Sequence, residues 1–108
     1  MVLQADSDAR TILDAAERYG ATIHLGIPTL FVAELNLMEE GAWALPTLRL
    51  AVIAGAPVGD ALVGRVAEAF DVSVVTGYSL TETASTVSVG RPSDPETVRR
   101  FTVGLPIA

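Results

Sequence analysis

Apolar residues recur at helical spacing along residues 7–19. Ala9, Ile12, Leu13, Ala16 and Tyr19 fall on one face, and Arg10, Asp14, Glu17 and Arg18 face water. Ser7 or Asp6 is placed to cap the start of this helix, and Gly20 to close its end. Residues 21–24 then read as a short strand and Gly26 as a turn. Pro28 opens a second helix running to about residue 40, with Phe31, Leu35 and Met38 on its buried stripe, and Gly41 stops it. A connection carrying the sole tryptophan, Trp43, leads to a strand at residues 50–53. Pro57, by fixing φ, starts a third helix over about residues 58–69, whose stripe is Leu62, Val63, Val66 and Phe70. Residues 73–76 are β-branched enough for a short buried strand.

Helix and strand therefore alternate, with no hairpin signal between these strands. That pattern argues for right-handed crossovers. The expected fold is α/β, a three-layer arrangement in which a mostly parallel sheet is flanked by helices. Beyond Glu82 the character changes. Residues 84–89 alternate Thr86 and Ser88 with Val87 and Val89, as a half-exposed strand does. Ser93-Asp94-Pro95-Glu96 has the spacing of a capping box, so a short helix is expected after it. Arg99 and Arg100 near its end would complement the helix dipole.

Composition alters this picture in three ways. Hydrophobic residues make up 50% of the 108 residues, and the mean hydropathy is +0.44. A small domain has much surface, so this balance implies an apolar face meant for something else and a chain that is part of a larger fold. The formal net charge of −6 argues against a nucleic-acid partner, which would need concentrated cations. All seven basic residues are arginine, and there is neither lysine nor cysteine, which excludes a thiolate metal site, a cysteine nucleophile and any lysine chemistry within the chain. No secretory start is evident, and the uncharged run at residues 50–59 is too short for a membrane span. A cytoplasmic protein is expected.

Two stretches carry candidate chemistry. Gly77-Tyr78-Ser79-Leu80-Thr81-Glu82-Thr83 is expected just beyond the carboxyl end of a strand, the edge where open α/β sheets bind ligands. A tyrosine ring can stack on a purine, a threonine can donate to a phosphate oxygen, and a glutamate can hold Mg²⁺. Ala54-Gly55-Ala56-Pro57 follows the preceding strand in the same way, and its small residues let backbone approach a flat ligand closely. His24, the single histidine, is most simply a hydrogen-bonded structural residue, and no serine has a His/Asp relay around it. Glu39-Glu40 reads as a solvated helix end.

These stretches resemble the adenylate-forming superfamily, which includes acyl-CoA synthetases, nonribosomal peptide adenylation domains and luciferases. Ala54-Gly55-Ala56-Pro57 is similar to that family's Gly-Gly-Ala-Pro turn, and Tyr78-Ser79-Leu80-Thr81-Glu82 to its Tyr-Gly-x-Thr-Glu motif. Residues 21–29 look like its strand and helix start before the turn, and residues 102–106 like its Ser-Val-Gly-x-Pro segment. The resemblance implies a nucleotide site at Gly55, Ala56, Pro57, Gly77, Tyr78, Ser79 and Thr81, and an acid-substrate wall at Ala54, Gly55 and Ser79. It implies catalytic roles for Thr81 on phosphate and Glu82 on Mg²⁺. The implied cofactors are ATP and Mg²⁺, with CoA as cosubstrate. Ala54 and Ser79 stand where the family usually has glycine, and the Ser79 hydroxymethyl group would shorten or polarise the acid pocket.

The family's glycine-rich phosphate loop, ribose-binding aspartate and catalytic lysine do not occur here. Residues 1–108 are therefore expected to be a single incomplete domain, a fragment of the AMP-binding N-terminal domain of an acid–CoA ligase, inactive alone. Expected partners in the parent are a carboxylic acid and CoA or a carrier thiol, and the fragment itself is expected to be a homo-oligomer. Two other functions suit the same residues: an adenylation domain loading a carrier protein, and a non-catalytic α/β interaction module.

Overall fold

A computed structural model describes residues 8–107. Ala9–Tyr19 forms helix α1. Its cap is Asp8, whose carboxylate accepts from the backbone N–H of Arg10 at 3.0 Å and of Thr11 at 3.2 Å, and from the Thr11 hydroxyl. The Thr11 hydroxyl bond, followed by the Thr11 backbone bond, holds the Asp8 carboxyl below the usual range. The expected caps, Ser7 and Asp6, lie outside the described residues. Gly20 closes the helix as anticipated.

Strand β1 is Ile23–Gly26, two residues later than the apolar run suggested. The reason is local: the Ala21 N–H is spent on the Ala16 carbonyl in closing α1, so ladder pairing starts at Ile23. Gly26, expected in a turn, is the last strand residue. Helix α2, Pro28–Met38, has proline in its first turn and buries Phe31 and Leu35, with Met38 packed against the core. Strand β2, Leu50–Ile53, lies where expected. Two residues of α1 read as water-facing reach across to the connection before β2. Asp14 accepts from the Trp43 indole N–H at 2.7 Å, and Glu17 from the Ala44 N–H at 2.8 Å.

Helix α3 is Asp60–Phe70, capped by an extended Gly59. Pro57 therefore does not start it; the proline belongs to the turn, and residues 55–58 are left as loop. Strand β3, Ser73–Leu80, runs four residues past its expected end. Its first half pairs in parallel with β2, from Leu50↔Ser73 to Ile53↔Thr76, and β1 pairs in parallel with β2 on the other side. Its second half turns back on strand β4, Ser85–Val89, in an antiparallel ladder whose register shifts between Tyr78 and Ser79. The motif from Gly77 to Leu80 is thus strand rather than loop, because a neighbour exists to satisfy its backbone groups. On β4 the buried residue is Ser88, with Val87 and Val89 half-buried.

Helix α4, Glu96–Phe101, has no side-chain cap. The expected capping box does not form: α4 begins at Glu96 with Pro95 at its cap, so Ser93 stands two residues outside it, while the Asp94 carboxylate accepts from the Arg91 N–H at 2.7 Å. Arg99 and Arg100 both lie in the last turn, the expected place for charges that complement the helix dipole, and each side chain also bonds elsewhere. Arg99 donates back to the Asp94 carbonyl at 3.0 Å, and Arg100 reaches α3. A two-residue strand β5, Leu105–Pro106, completes a five-stranded sheet in the order β1-β2-β3-β4-β5. Gly104 precedes it at φ +79°, and a Cβ there would lie 2.1 Å from the Val89 carbonyl group, so no other residue fits without moving β4.

The fold is α/β, a five-stranded sheet flanked by helices. One apolar core, built from Leu13, Phe31, Leu35, Leu48, Ala51, Ile53, Val63, Val66, Phe70 and Val74, joins α1, α2 and α3 to one face of β2 and β3. The opposite face of β1 is open, with Ile23 and Leu25 exposed by 58% and 67%.

Candidate functional site

The turn after β2, the middle of β3 and the segment from Arg100 to Gly104 enclose a cleft of about 810 Å³. Parallel pairing of Ile53 with Thr76 brings the two candidate stretches side by side, so Gly55, Ala56 and Pro57 line one wall while Gly77, Tyr78 and Ser79 line the next. Gly55 has φ +90°, and a Cβ there would come within 3.0 Å of the Ile27 side chain. A glycine suits that turn on both counts. Ala54 has a negative φ and does not line the cleft; its methyl lies 3.5 Å from where a Cβ on Gly77 would sit, an ordinary contact. Tyr78 is 44% exposed, so part of its ring is available to a ligand.

Thr81 and Glu82 stand outside the cleft lining. They occupy a single 3-10 turn, Thr81–Thr83, between β3 and β4, and both are exposed. Thr83 holds this turn by donating to the Leu80 carbonyl at 2.9 Å, with the Ser85 carbonyl at 3.3 Å. Glu82 makes no ion pair among the described residues. No group of three or more His, Cys, Asp or Glu side chains among them could hold a metal ion. A lone carboxylate fits Mg²⁺ only as one ligand beside waters and the oxygens of a phosphate, which is how this cation is usually held.

Several cleft residues had no signal in the linear sequence. Asp60, the first residue of α3, binds Arg100 through two bonds: Arg100 Nε to Oδ1 at 2.6 Å and a terminal nitrogen to Oδ2 at 3.0 Å. The bond from Asp60 holds the Arg100 guanidinium above its usual range, and Glu96 at 3.4 Å adds to it. The Thr76 hydroxyl, buried, donates to the Thr102 carbonyl at 2.8 Å. These two ties join the wall at residues 100–104 to α3 and to β3. Partners 40 and 26 positions apart cannot be paired from spacing alone. The one available hint was Gly104 followed by Pro106.

His24 lies outside the cleft. Its Nε2 is 2.9 and 2.8 Å from the two carboxylate oxygens of Glu34, which is fully buried. This is the structural role expected of it, with a partner the helical pattern did not reveal.

Comparison with known proteins adds the following. The family model for AMP-binding enzymes matches residues 1–108. An acyl-CoA ligase of Aspergillus fumigatus, sidI, is 34% identical over 98 residues, covering 90% of this chain and 17% of that protein. A long-chain-fatty-acid–CoA ligase of Thermus thermophilus is 32% identical over 80 residues, covering 74% of this chain and 15% of its own length. Among solved structures, the anthranilate CoA ligase AuaEII in complex with anthranoyl-AMP superposes with a TM-score of 0.82 at 29% identity, over 98% of this chain and 20% of that one. The chain thus spans less than a fifth of the length of these two curated relatives.

Proposed function

The chain belongs to the AMP-binding enzyme family, and on that premise we propose that it forms the nucleotide-facing part of an ATP-dependent carboxylic acid–CoA ligase. The observation that carries this reading is the shared cleft. Two stretches some 20 residues apart, Gly55–Pro57 and Gly77–Ser79, become adjacent walls of one cavity at the carboxyl end of β2. Its volume lies within the usual range for a small-molecule site. Relatives above 30% identity carry the names of acyl-CoA ligases, which favours CoA over a carrier protein as the thiol donor.

On this reading the adenine enters between the backbone of Gly55, Ala56 and Pro57 and the ring of Tyr78. Ser79, beyond the register shift in β3, bounds the acid, with Ala54 and Gly55 behind it. Thr81 donates its hydroxyl to a phosphate oxygen, and Glu82 supplies one carboxylate ligand to Mg²⁺. The reaction has two halves. A carboxylate oxygen attacks the α-phosphorus of ATP and pyrophosphate leaves; a thiol sulfur then attacks the acyl carbon and AMP leaves. Bound Mg²⁺ would supply positive charge where phosphoryl oxygens gain negative charge. The chain's own contribution is to orient: the cleft fixes the base, and the turn held by Thr83 fixes Thr81 and Glu82 relative to it.

Residues 1–108 hold no lysine, and expressed alone they should not complete either half-reaction. No helix among the described residues is long and apolar enough to cross a membrane.

Isotope exchange between pyrophosphate and ATP, catalysed by the full-length protein against a panel of carboxylic acids, tests the first half. Exchange dependent on at least one acid is expected. No exchange with any acid would favour a non-catalytic module. Thioester formation with CoA, against none with a carrier-protein thiol, tests the second half.

A further inference from the structure

We propose that Asp60 and Arg100 are a positioning pair, which sets the spacing between the turn at residues 55–57 and the wall at residues 101–104 and so the fit of the bound base. This rests on the reading of the cleft as an adenylate site. Both residues line the cleft, and each stands at the end of one of its walls. The turn runs through Gly59 into Asp60, the first residue of α3. Arg100 lies in the last turn of α4, immediately before the opposite wall begins. A bond between these two side chains therefore spans the cleft from one wall to the other.

A cation lining such a cleft could serve as a phosphate ligand, but the geometry favours a clamp. All three guanidinium nitrogens of Arg100 face carboxylates. Nε donates to Asp60 Oδ1 at 2.6 Å, Nη2 to Asp60 Oδ2 at 3.0 Å, and Nη1 to Glu96 Oε1 at 3.4 Å. Two carboxylates stand against one cation, which leaves little net attraction for an anion. The paired bonds to Asp60 fix direction as well as distance. A second tie acts on the same wall, where the Thr102 carbonyl accepts from the buried Thr76 hydroxyl of β3 at 2.8 Å. Tyr78 belongs to β3, so this tie registers the wall on the strand that carries the ring. Only the Asp60–Arg100 bond refers it to the turn on the other face of the base. With both ties made, residues 101–104 meet the edge of a base whose two faces are already covered.

Calorimetric titration of the full-length protein with AMP and, separately, with adenosine tests this without relying on turnover. Asp60→Asn and Arg100→Gln are each expected to raise the Kd about 3- to 10-fold, by the same factor for both ligands, because the pair acts on the base and not on the phosphate. The double variant should be no weaker than either single one. Asp60→Glu keeps the carboxylate and is expected to bind as wild type does. Binding is measured well below each variant's thermal midpoint, so lost stability does not register as lost affinity. A wild-type Kd in Asp60→Asn overturns the proposal while leaving the cleft assignment standing. So do losses that add in the double variant, and a Glu variant as weak as Asn. Tighter AMP binding in Asp60→Asn with adenosine unchanged also overturns it, because Arg100 released from Asp60 would then be a phosphate ligand. A wild-type protein that binds neither AMP nor adenosine overturns the cleft assignment itself, and this inference with it.

Discussion

Glu34 presents both carboxylate oxygens, at 2.9 and 2.8 Å, to the single Nε2 atom of His24. The histidine comes from β1 and the glutamate from α2, and the imidazole packs 4.8 Å from the Phe31 ring and 6.5 Å from that of Phe70. With its proton on Nε2 the ring donates to both oxygens in a shared bond, the role open to a histidine nitrogen facing a carboxylate. The pair ties the edge strand to its helix inside an apolar setting, where either partner alone would be costly.

Removing the histidine should therefore be worse than removing both residues. His24→Leu is expected to destabilise the full-length protein by about 3–5 kcal/mol, because it leaves a buried carboxylate unpaired. His24→Leu with Glu34→Leu should recover most of that loss. Denaturant unfolding of the two single variants and the double variant measures the coupling, and simple additivity would show that the contact carries no energy.

Glu82→Gln in the full-length protein is expected to reduce acid-dependent pyrophosphate exchange by roughly 10²-fold or more. Glu82 is exposed on a turn pinned by Thr83, so the fold should survive the change. An unchanged exchange rate would remove Glu82 from the metal site.

Ser79→Gly should raise kcat/KM for longer acids relative to shorter ones. A methylene in such a pocket is worth only about 1–3 kcal/mol, so a graded profile is expected rather than an absolute switch. Identical chain-length profiles before and after substitution would show that Ser79 does not face the acid.

Gly104→Ala forces a Cβ to within 2.1 Å of the Val89 carbonyl group at a φ of +79°. The expected cost is more than about 1 kcal/mol. Because the same segment lines the cleft, AMP affinity should fall with it. Thermal unfolding and AMP titration of the variant check both, and a neutral result in each would mean that β4 and β5 shift apart freely.

Residues 1–108 expressed alone should self-associate. The open face of edge strand β1 carries Ile23 and Leu25, both exposed, and bare apolar edges invite pairing with another copy. Leu25→Arg should shift the population toward monomer in light scattering. A monodisperse wild-type monomer at high concentration would contradict this.

The linear pattern sufficed for whatever depends on near neighbours. Helical spacing marked α1, α2 and α3 to within about two residues, and β-branched runs marked β2 and the first half of β3, because these signals arise within one or two turns of chain. The two candidate stretches could be picked out for the same reason: each is a run of consecutive residues. What needed a distant partner was not legible. Strand β3 continues through Tyr78 because β4 folds back to pair with it, and β5 exists because two residues reach Val89 and Ser88. Arg100 reaches from the last turn of α4 to Asp60, and Glu34 was drawn into the core by His24. In each case the decisive energy is a hydrogen bond or ion pair satisfied in a partly or wholly desolvated place. Which groups meet there is set by the packing of α3, α4 and the sheet, not by spacing along the chain.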